Sequence, residues 1–292
     1  MTIKEHRCIV ITGASSGIGK ETAKAFAAMG WHVIGTGRNS QRCAEAEAEI
    51  RAVAAPDSRV DFLRGDMALM AEVKRIAGEI KHLTGRIDVL FNNSGGVRDQ
   101  RYITSEGTEE TFTANHLAPF LLTRLLLPMI KATAAECQPG DVRVIATSSL
   151  AYLTAANGMN WDDLQHLEGD FPASSVYCEA KLANVLFSHE LSKRITSDGI
   201  AVQSLIPGIV HTNFASHGDE NMQAYCNAAP GLTPEEVART VVWMATAQET
   251  GLPGGRHFYE MEEKEIQPHA ADDAAAARLW SESERILASL GY

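Results

Sequence analysis

Short apolar segments alternate with longer amphipathic segments along most of the chain. The short segments are rich in β-branched residues, and in the longer ones apolar residues recur at helical spacing, as at Val73, Ile76, Ala77 and Ile80. The predicted strands lie at residues 7–11, 32–36, 60–62, 87–91, 142–147, 200–206 and 256–260. This alternation predicts an α/β fold with a doubly wound parallel sheet (Rossmann fold). Because no linker rich in Pro, Gly or Ser divides the chain, we expect a single domain over residues 1–292.

A glycine-rich turn follows the first predicted strand. Gly13, Gly17 and Gly19 lie between that strand and a helix that would end near Gly30. Because they lack Cβ atoms, a pyrophosphate can approach the backbone N–H groups, and the helix N-terminus favours its negative charge. A glycine cluster can also be an ordinary loop, but its place between a buried strand and an amphipathic helix favours a dinucleotide site.

The second predicted strand ends at Gly37-Arg38-Asn39, where a dinucleotide fold meets the adenosine ribose. An acidic residue there would hydrogen-bond a 2′-hydroxyl, whereas an arginine suits a 2′-phosphate. No acidic residue lies closer to the strand end than Glu45. Arg38 therefore predicts NADP as the cofactor, with an ordinary surface arginine as the alternative.

A phenol and an ammonium lie four residues apart in a segment with helical spacing. Tyr177 and Lys181 should share one face of that helix, while Leu182, Val185 and Leu186 face the core. A nearby ammonium in a partly dry site stabilises the phenolate, which would bring the tyrosine pKa from about 10 toward neutrality. Such a pair can donate or accept a proton, although the same spacing also arises by chance in many helices.

Composition argues against several classes of function. With 26 basic and 37 acidic residues the net charge is −11, which disfavours nucleic acid and anionic membranes as partners. The most apolar stretch, residues 117–130, is too short to span a bilayer, and a strand from about Arg7 leaves no room for a signal peptide or anchor. The five cysteines form no C-x-x-C, which predicts a reduced, cytoplasmic setting, and no histidine spacing suggests a metal.

These motifs, taken in order from about residue 7 to residue 259, resemble the short-chain dehydrogenase/reductase family. The matching motifs are Thr12-Gly13-x-x-x-Gly17-x-Gly19, Asp66, Asn92-Asn93-x-Gly95 and Tyr177-x-x-x-Lys181, with Ser94 where the family usually has alanine. The resemblance implies a catalytic tetrad of Asn115, Ser149, Tyr177 and Lys181, with Ser149 rather than Ser148 as the substrate-binding hydroxyl. The implied cofactor-binding residues are Gly13, Ser15, Ser16, Gly17, Ile18, Gly19, Arg38, Asp66, Met67, Asn92, Ser94, Gly95, Tyr177, Lys181, Pro207, Gly208, Val210 and Thr212.

The long insert between Ser149 and Tyr177 resembles the branch that contains retinol dehydrogenases and protochlorophyllide reductases, as does the run Tyr177-Cys178-x-x-Lys181-Leu182-Ala183-Asn184. Residues 213–232 have little periodicity, and residues 208–232 are interpreted as a lid over the substrate. Apolar walls for a bulky substrate are predicted from the insert and the lid, namely at Leu153, Met159, Trp161, Phe214, Met222 and Tyr225.

The segments after the lid complete the predicted fold. A helix should begin at Thr233-Pro234-Glu235-Glu236, which has the pattern of a capping box. Residues 256–260 would then form the final edge strand, and residues 262–292 a surface or subunit-contact helix.

The resemblance implies NADP-dependent hydride transfer between nicotinamide and a carbonyl or alcohol. In this reading Ser149 and Tyr177 act on the oxygen, Lys181 lowers the pKa of Tyr177, and Asn115 holds a relay water. A double-bond reductase of the protochlorophyllide reductase type is the alternative among enzymes. A non-catalytic NADP-binding redox sensor is the alternative outside enzymes, and the intact tetrad argues against it. We expect a homodimer or homotetramer with a small-molecule substrate.

Overall fold

The computed structural model describes residues 6–292, apart from the side chains of Asn213, Ala215, Asn221 and Tyr225. Its central sheet has the strand order β3-β2-β1-β4-β5-β6-β7-β8, in which β8 runs antiparallel and the other strands pair in parallel. The strands are β1 (Cys8–Ile11), β2 (His32–Gly37), β3 (Val60–Arg64), β4 (Val89–Asn92), β5 (Val142–Thr147), β6 (Ile200–Leu205), β7 (Arg256–Tyr259) and β8 (Glu262–Lys264). The doubly wound parallel sheet predicted from the sequence is confirmed.

Helices cover both faces of the sheet. They are α1 (Gly17–Ala28), α2 (Ser40–Val53), α3 (Met70–Leu83), α4 (Glu110–Phe112), α5 (Ala118–Ala134), α6 (Ala173–Ile195), α7 (Glu220–Ala228), α8 (Pro234–Thr246) and α9 (Asp273–Ser289). One core lies under α3, α5, α6 and α9, and a second lies under α1, α2 and α8. Within β1, Val10 faces the first core and Ile9 the second, which explains why the strands have unbroken apolar runs.

The helix that carries Asn115 changes its hydrogen-bonding pattern near its start. α4 continues into a π turn at Thr113–Leu117 and then into α5, so the whole run, Glu110–Ala134, has 25 residues. By length and composition it is the one helix among residues 6–292 that could cross a membrane, yet 61% of its most apolar window is buried. The helix is apolar because it packs in the core. It is longer than the stretch of residues 117–130, from which the sequence analysis inferred a segment too short to span a bilayer.

The start of α8 agrees with the prediction from sequence, whereas three segments differ from it. Thr233 and Glu236 form the predicted capping box, with Thr233 Oγ1 accepting from the Glu236 N–H and Glu236 Oε2 accepting from the Thr233 N–H. Residues 256–260 do not form the final edge strand, because β8 folds back onto β7. The predicted lid contains a helical turn at Asn213–His217 and the helix α7, so it is more regular than its sequence indicates.

The third difference is the C-terminal segment. α9 is not merely a surface helix, since it packs on α6 and buries Ala276, Leu279, Ile286 and Leu287. The capping residue Asp272 accepts from the N–H groups of Ala274 and Ala275. Two expectations lie outside the described part of the chain: the lid side chain of Tyr225, and the lack of an anchor before β1, which concerns residues 1–5.

Candidate active site

The turn between β1 and α1 forms a cradle in which the position of Gly19 has no room for a side chain. A Cβ atom on Gly19 would overlap the carbonyl oxygen of Gly13 and lie 2.8 Å from Asn93 Nδ2. Within the described residues, the N-cap Ser16 makes no side-chain capping bond and the first turn of α1 carries no acidic residue. The first N–H groups of this 12-residue helix are therefore uncapped by side chains. This arrangement fits the pyrophosphate of a dinucleotide.

Residues from separate strand ends meet beside this cradle. Thr12 Oγ1 accepts hydrogen bonds from the backbone N–H groups of Asn93 and Ser94, each at 2.9 Å, which ties β1 to β4. The Ser94 hydroxyl, which departs from the family pattern, borders Gly13. Thr212, in the loop after β6, lies against Gly17, with its Cγ2 atom 3.1 Å from the position of a Gly17 Cβ. The structure thus brings the ends of β1, β4 and β6 to one cleft.

Other predicted cofactor residues pack their side chains into the protein. Asn92 Nδ2 donates to Thr123 Oγ1 at 3.0 Å, so this side chain is directed to α5. Met67 belongs to the first core, and Ile18 and Val210 pack against the second. Ser15 lies against Gly37, Gly208 lies under the Tyr259 ring, and Pro207 is half-buried after β6. Where such residues meet a cofactor, backbone groups would make the contact.

Asn115 is held inside the π turn. Its Nδ2 atom donates to the carbonyl oxygens of Thr111 and Gly96, both at 2.7 Å. Its Oδ1 atom lies so close to Gly95 that a Cβ there would overlap it, and the same Cβ would lie 3.3 Å from Lys181 Nζ. Gly95 is therefore required so that Asn115 and Lys181 can approach one another.

Tyr177 and Lys181 share one face of α6, as the four-residue spacing predicts. Lys181 Nζ lies 5.5 Å from the centroid of the Tyr177 ring and donates to the carbonyl oxygen of Thr147 at 3.3 Å. The side chain of Ser149, at the start of the insert, lies near the Tyr177 hydroxyl group and interacts with it. Ser148 instead donates to the backbone carbonyl oxygen of Lys181 at 2.9 Å and is buried. Of the two serines, Ser149 is therefore the one beside the phenol.

Burial controls the protonation of this pair. It raises the pKa of Tyr177, and the interaction with the Ser149 hydroxyl opposes this shift only in part. Burial also lowers the pKa of Lys181 to about 8. The prediction that Lys181 brings the phenol toward neutrality is therefore wrong for the protein alone, because removal from water favours the neutral form of both groups.

The opposite end of the cleft is rich in exposed charge. Arg38 Nη1 lies 3.5 Å from a carboxylate oxygen of Asp66 and 3.5 Å from one of Glu110, although neither acid is near Arg38 in sequence. Glu110 also pairs with Arg98. A cavity of about 370 Å³ opens beside Arg38 and is lined by Arg38, Arg64, Gly65, Asp66, Leu69, Glu72 and Arg75.

Arg64 is a candidate cofactor residue that the sequence reasoning missed. It lines the same cavity as Arg38, and its Nε atom donates to the Arg38 carbonyl oxygen at 3.4 Å. Arg75 is paired with Glu72 and Glu79, whereas no ion pair joins Arg64 to a carboxylate in the described part of the chain. Strand register would have revealed Arg64, because it lies opposite Gly37 in the pairing of β2 with β3.

The apolar walls are only partly those expected. The Phe214 ring lies 5.4 Å from the Tyr177 ring, so the lid does reach the phenol. Met159, however, belongs to the first core, and Trp161 lies beneath the Arg278 guanidinium of α9. Leu153 is exposed. The insert residues therefore differ in role, since two of the three expected wall residues pack into the fold.

The insert is fixed by side chains that border the site. Glu179 Oε2, two residues beyond Tyr177, accepts from the Asn160 N–H at 2.9 Å and lies 3.1 Å from His166 Nε2. Arg101 donates to the carbonyl oxygens of His166, Glu168 and Gly169. Across the described residues, no three His, Cys, Asp or Glu side chains are grouped as a metal site would require.

A glycine cradle at a helix N-terminus, beside a tyrosine and lysine on one helix face, defines a dinucleotide-dependent oxidoreductase of the short-chain type. The family model for short chain dehydrogenase matches residues 7–160. Human retinol dehydrogenase 13 is 33% identical over 96% of this chain and 84% of its own length. Human polyprenol dehydrogenase is 31% identical over 96% of this chain and 84% of its own length. The chain belongs to the short-chain dehydrogenase/reductase family and to its retinol dehydrogenase-like branch.

Solved structures agree with this assignment at the level of fold. An uncharacterized protein from Mycobacterium paratuberculosis is similar with a TM-score of 0.73 and 29% identity, covering 96% of this chain and 92% of its own. A short-chain dehydrogenase from Sphingobium yanoikuyae in complex with NADPH has a TM-score of 0.64 and 21% identity, covering 82% and 84% of the two chains. The second likeness shows the fold alone.

Proposed function

We propose that this protein is an NADP(H)-dependent oxidoreductase that interconverts a carbonyl group and an alcohol on a bulky, apolar substrate. The observation that carries the proposal is the convergence of Ser149, Tyr177, Lys181 and Asn115 beside the glycine cradle. A serine hydroxyl and a phenol that lie side by side can together hold one substrate oxygen. The relatives named for retinol and polyprenol are dehydrogenases of apolar alcohols, which supports this reaction class.

The protein's own groups handle the substrate oxygen and its proton. A reduced nicotinamide cofactor, held at the cradle of Gly13, Gly17 and Gly19, would supply hydride to the carbonyl carbon. Ser149 donates a hydrogen bond to the carbonyl oxygen, and Tyr177 gives that oxygen a proton to complete the alcohol. The raised pKa of Tyr177 keeps the phenol protonated at neutral pH, which suits it to be the donor.

Lys181 and Asn115 act behind the tyrosine. With a pKa lowered to about 8, Lys181 is mainly cationic at neutral pH and stabilises the phenolate that proton transfer leaves. Asn115 is assigned to the path that returns a proton to Tyr177, because its Oδ1 atom and Lys181 Nζ both border Gly95. In the oxidative direction the same groups work in reverse, with Tyr177 as the base.

Two arginines support NADP over NAD. Arg38 is the residue that the sequence predicts to bind the 2′-phosphate, and Arg64 adds a second positive charge to the same cavity. Asp66 and Glu110 hold the Arg38 side chain at the cavity, although they also oppose an incoming phosphate. The unpaired charge of Arg64 offsets that repulsion, so we assign the 2′-phosphate to the space between the two guanidinium groups.

A coupled substrate and cofactor screen tests the proposal. Ketones, aldehydes and alcohols with small, charged or long apolar substituents are followed by nicotinamide absorbance with each coenzyme. We expect turnover of long apolar carbonyls with NADPH, and product analysis should show a new alcohol with double bonds intact. Turnover restricted to small sugars or charged acids would overturn the substrate class, and an exclusively reduced C=C bond would overturn the reaction.

We further propose that the protein works in the cytoplasm as a homodimer or homotetramer. The acidic net charge of −11, which disfavours anionic membranes, and the five free cysteines support the proposed location. Light scattering on the purified protein measures the assembly, and fractionation of cells that express it measures the location. A monomer, or recovery with the membrane fraction, would contradict these two expectations.

A further inference from the structure

The C-terminal helix reaches the turn that holds Asn115. His116, the next residue after Asn115, is fully buried, and its Nε2 atom lies 2.7 Å from Ser283 Oγ on α9. Ser283 is equally buried. The contact joins residues 167 positions apart in the chain. It is thus a long-range hydrogen bond from the last helix to the π turn.

The hydrogen-bonding partners of Ser283 define the direction of this bond. Its hydroxyl donates its single proton to the Leu279 carbonyl oxygen at 2.7 Å. Its oxygen must therefore accept from His116 Nε2–H, which places the ring proton on Nε2. Burial lowers the pKa of His116 to about 3, so the imidazole is neutral at working pH. The bond therefore joins two neutral groups and does not depend on a titration near neutrality.

Aromatic packing leaves the imidazole little freedom. The rings of Phe112, Phe120 and Phe187 surround His116 at centroid distances of 5.2, 6.0 and 6.1 Å. Trp280, one turn before Ser283 on α9, packs on both Phe120 and Phe187. One aromatic cluster thus joins α9 to the Asn115 helix and to α6, which carries Tyr177 and Lys181.

We propose that α9 is a positioning element of the active site, in which Ser283 holds His116 and thereby fixes the π turn so that Asn115 lies against Gly95 and Lys181. A π turn leaves the regular hydrogen-bonding pattern of a helix and requires support from its surroundings. The direct support is one hydrogen bond and the aromatic contacts around it. His116 and Ser283 are positioning residues, because neither touches the substrate oxygen or the cofactor cradle. The consequence for turnover rests on the proposed function, whereas the consequence for the π turn does not.

The test compares two serine substitutions on the same helix. Ser283→Ala removes the acceptor for His116, and Ser281→Ala is the matched control, since the Ser281 hydroxyl donates only to the Ala277 carbonyl oxygen and is exposed. Ser283→Thr keeps the hydroxyl and serves as the rescue variant. His116→Phe, alone and combined with Ser283→Ala, completes a double-mutant cycle and fits the aromatic surroundings.

Two kinds of readout are measured. Amide hydrogen exchange across residues 113–117 should be faster in Ser283→Ala than in the wild type and unchanged in Ser281→Ala. For turnover, Ser283→Ala should lower kcat about fivefold, the equivalent of one neutral hydrogen bond, with KM and NADPH affinity unchanged. The solvent deuterium isotope effect on kcat should rise, because proton transfer becomes slower. The double variant should lose no more kcat than the more impaired single variant.

The outcomes separate the positioning role from a purely structural one. A lower melting temperature with unchanged exchange at residues 113–117, unchanged kcat and unchanged isotope effect would overturn the proposal. If Ser283→Ala fails to fold, His116→Phe, which loses the hydrogen bond, is compared with Ser283→Thr, which keeps the hydroxyl. If the wild type turns over none of the substrates, the proposed function fails, and the exchange data alone decide whether α9 fixes the π turn.

Discussion

The two ends of the cofactor cleft use charge in opposite ways. At the adenosine end, the Arg38 side chain is 51% exposed and takes part in a network with Asp66, Glu110 and Arg98. At the nicotinamide end, Lys181 is 4% exposed and has no carboxylate partner among the described residues. Water screens the first group of charges and cannot screen the second. The first end can therefore select a ligand at little cost in stability, whereas burial of Lys181 carries a cost that we attribute to its proposed role in catalysis.

The largest expected effect tests the buried end directly. Tyr177→Phe removes the proton donor and keeps the ring that packs against Phe214. Loss of one acid–base group typically lowers the rate by about 10² to 10⁴. We expect kcat to fall in this range while NADPH binding, measured by fluorescence titration, stays nearly intact. A variant that kept half of the wild-type activity would show that Tyr177 is not the donor.

The second prediction concerns stability at the same end. Because the folded-state pKa of Lys181 is about 8 and its ordinary value is 10.5, the unfolded chain binds this proton more tightly between those two pH values. The unfolding free energy of the wild type should therefore rise with pH across that window, and the full cost of burying the cation should be present below it. Lys181→Met should remove that cost while also abolishing turnover.

We expect the gain from Lys181→Met at pH 7 to be up to about 3 kcal/mol and to shrink toward pH 10.5. Urea unfolding of both proteins at several pH values measures it. Arg38→Met is the matched control at the adenosine end and should bring no comparable gain, because its guanidinium is already half-exposed. Equal stabilisation by both substitutions would remove the contrast between the two ends.

The third prediction turns to coenzyme choice. Arg38→Ala should lower the preference for NADPH over NADH by about tenfold to a hundredfold, since charge-assisted hydrogen bonds to a phosphate contribute about 1.5 to 3 kcal/mol. The measurement is the ratio of kcat/KM for the two coenzymes, with direct binding of each. A wild-type ratio near one, or a ratio unmoved by the substitution, would exclude Arg38 from the cofactor site.

The smallest expected effect concerns Arg64, the second arginine at the adenosine end. Arg64→Ala should weaken NADPH binding about fivefold and leave NADH binding unchanged, because Arg64 would contact only the 2′-phosphate. Arg59→Ala is the control: Arg59 pairs with Asp61 at 2.7 Å near the amino end of the same strand, β3. If Arg64→Ala weakened the two coenzymes equally, Arg64 would have no role in selecting between them.

The sequence predicts the sheet and the buried end of the cleft well. Strand β5, for instance, has the predicted bounds, and the spacing of Tyr177 and Lys181 puts both on one face of α6. These features depend on local periodicity and on motifs with fixed spacing. The role assigned to Asn115 could come only from the resemblance, because the helix pattern does not reveal a π turn.

What the sequence does not reveal depends on contacts between distant segments. Asp66 and Glu110 approach Arg38 from other elements, so a search along the chain finds Glu45 as the nearest acid and misses both. The sequence predicts that Trp161 lines the substrate site, but in the structure Arg278 of α9 lies over the Trp161 ring. The pKa of Tyr177 likewise depends on burial by the whole fold, which no spacing of residues can predict.

The two edge strands of the sheet, β3 and β8, determine whether it can pair with a strand of another molecule. At β3, the Arg51 guanidinium donates a hydrogen bond to the Val60 carbonyl oxygen, and the Arg75 guanidinium donates one to the Arg64 carbonyl oxygen. At the other border, β8 consists of three charged residues, Glu262, Glu263 and Lys264. Short, charged borders with occupied carbonyl groups are poor templates for a strand from another chain. The sheet is therefore protected against growth from molecule to molecule by strand pairing.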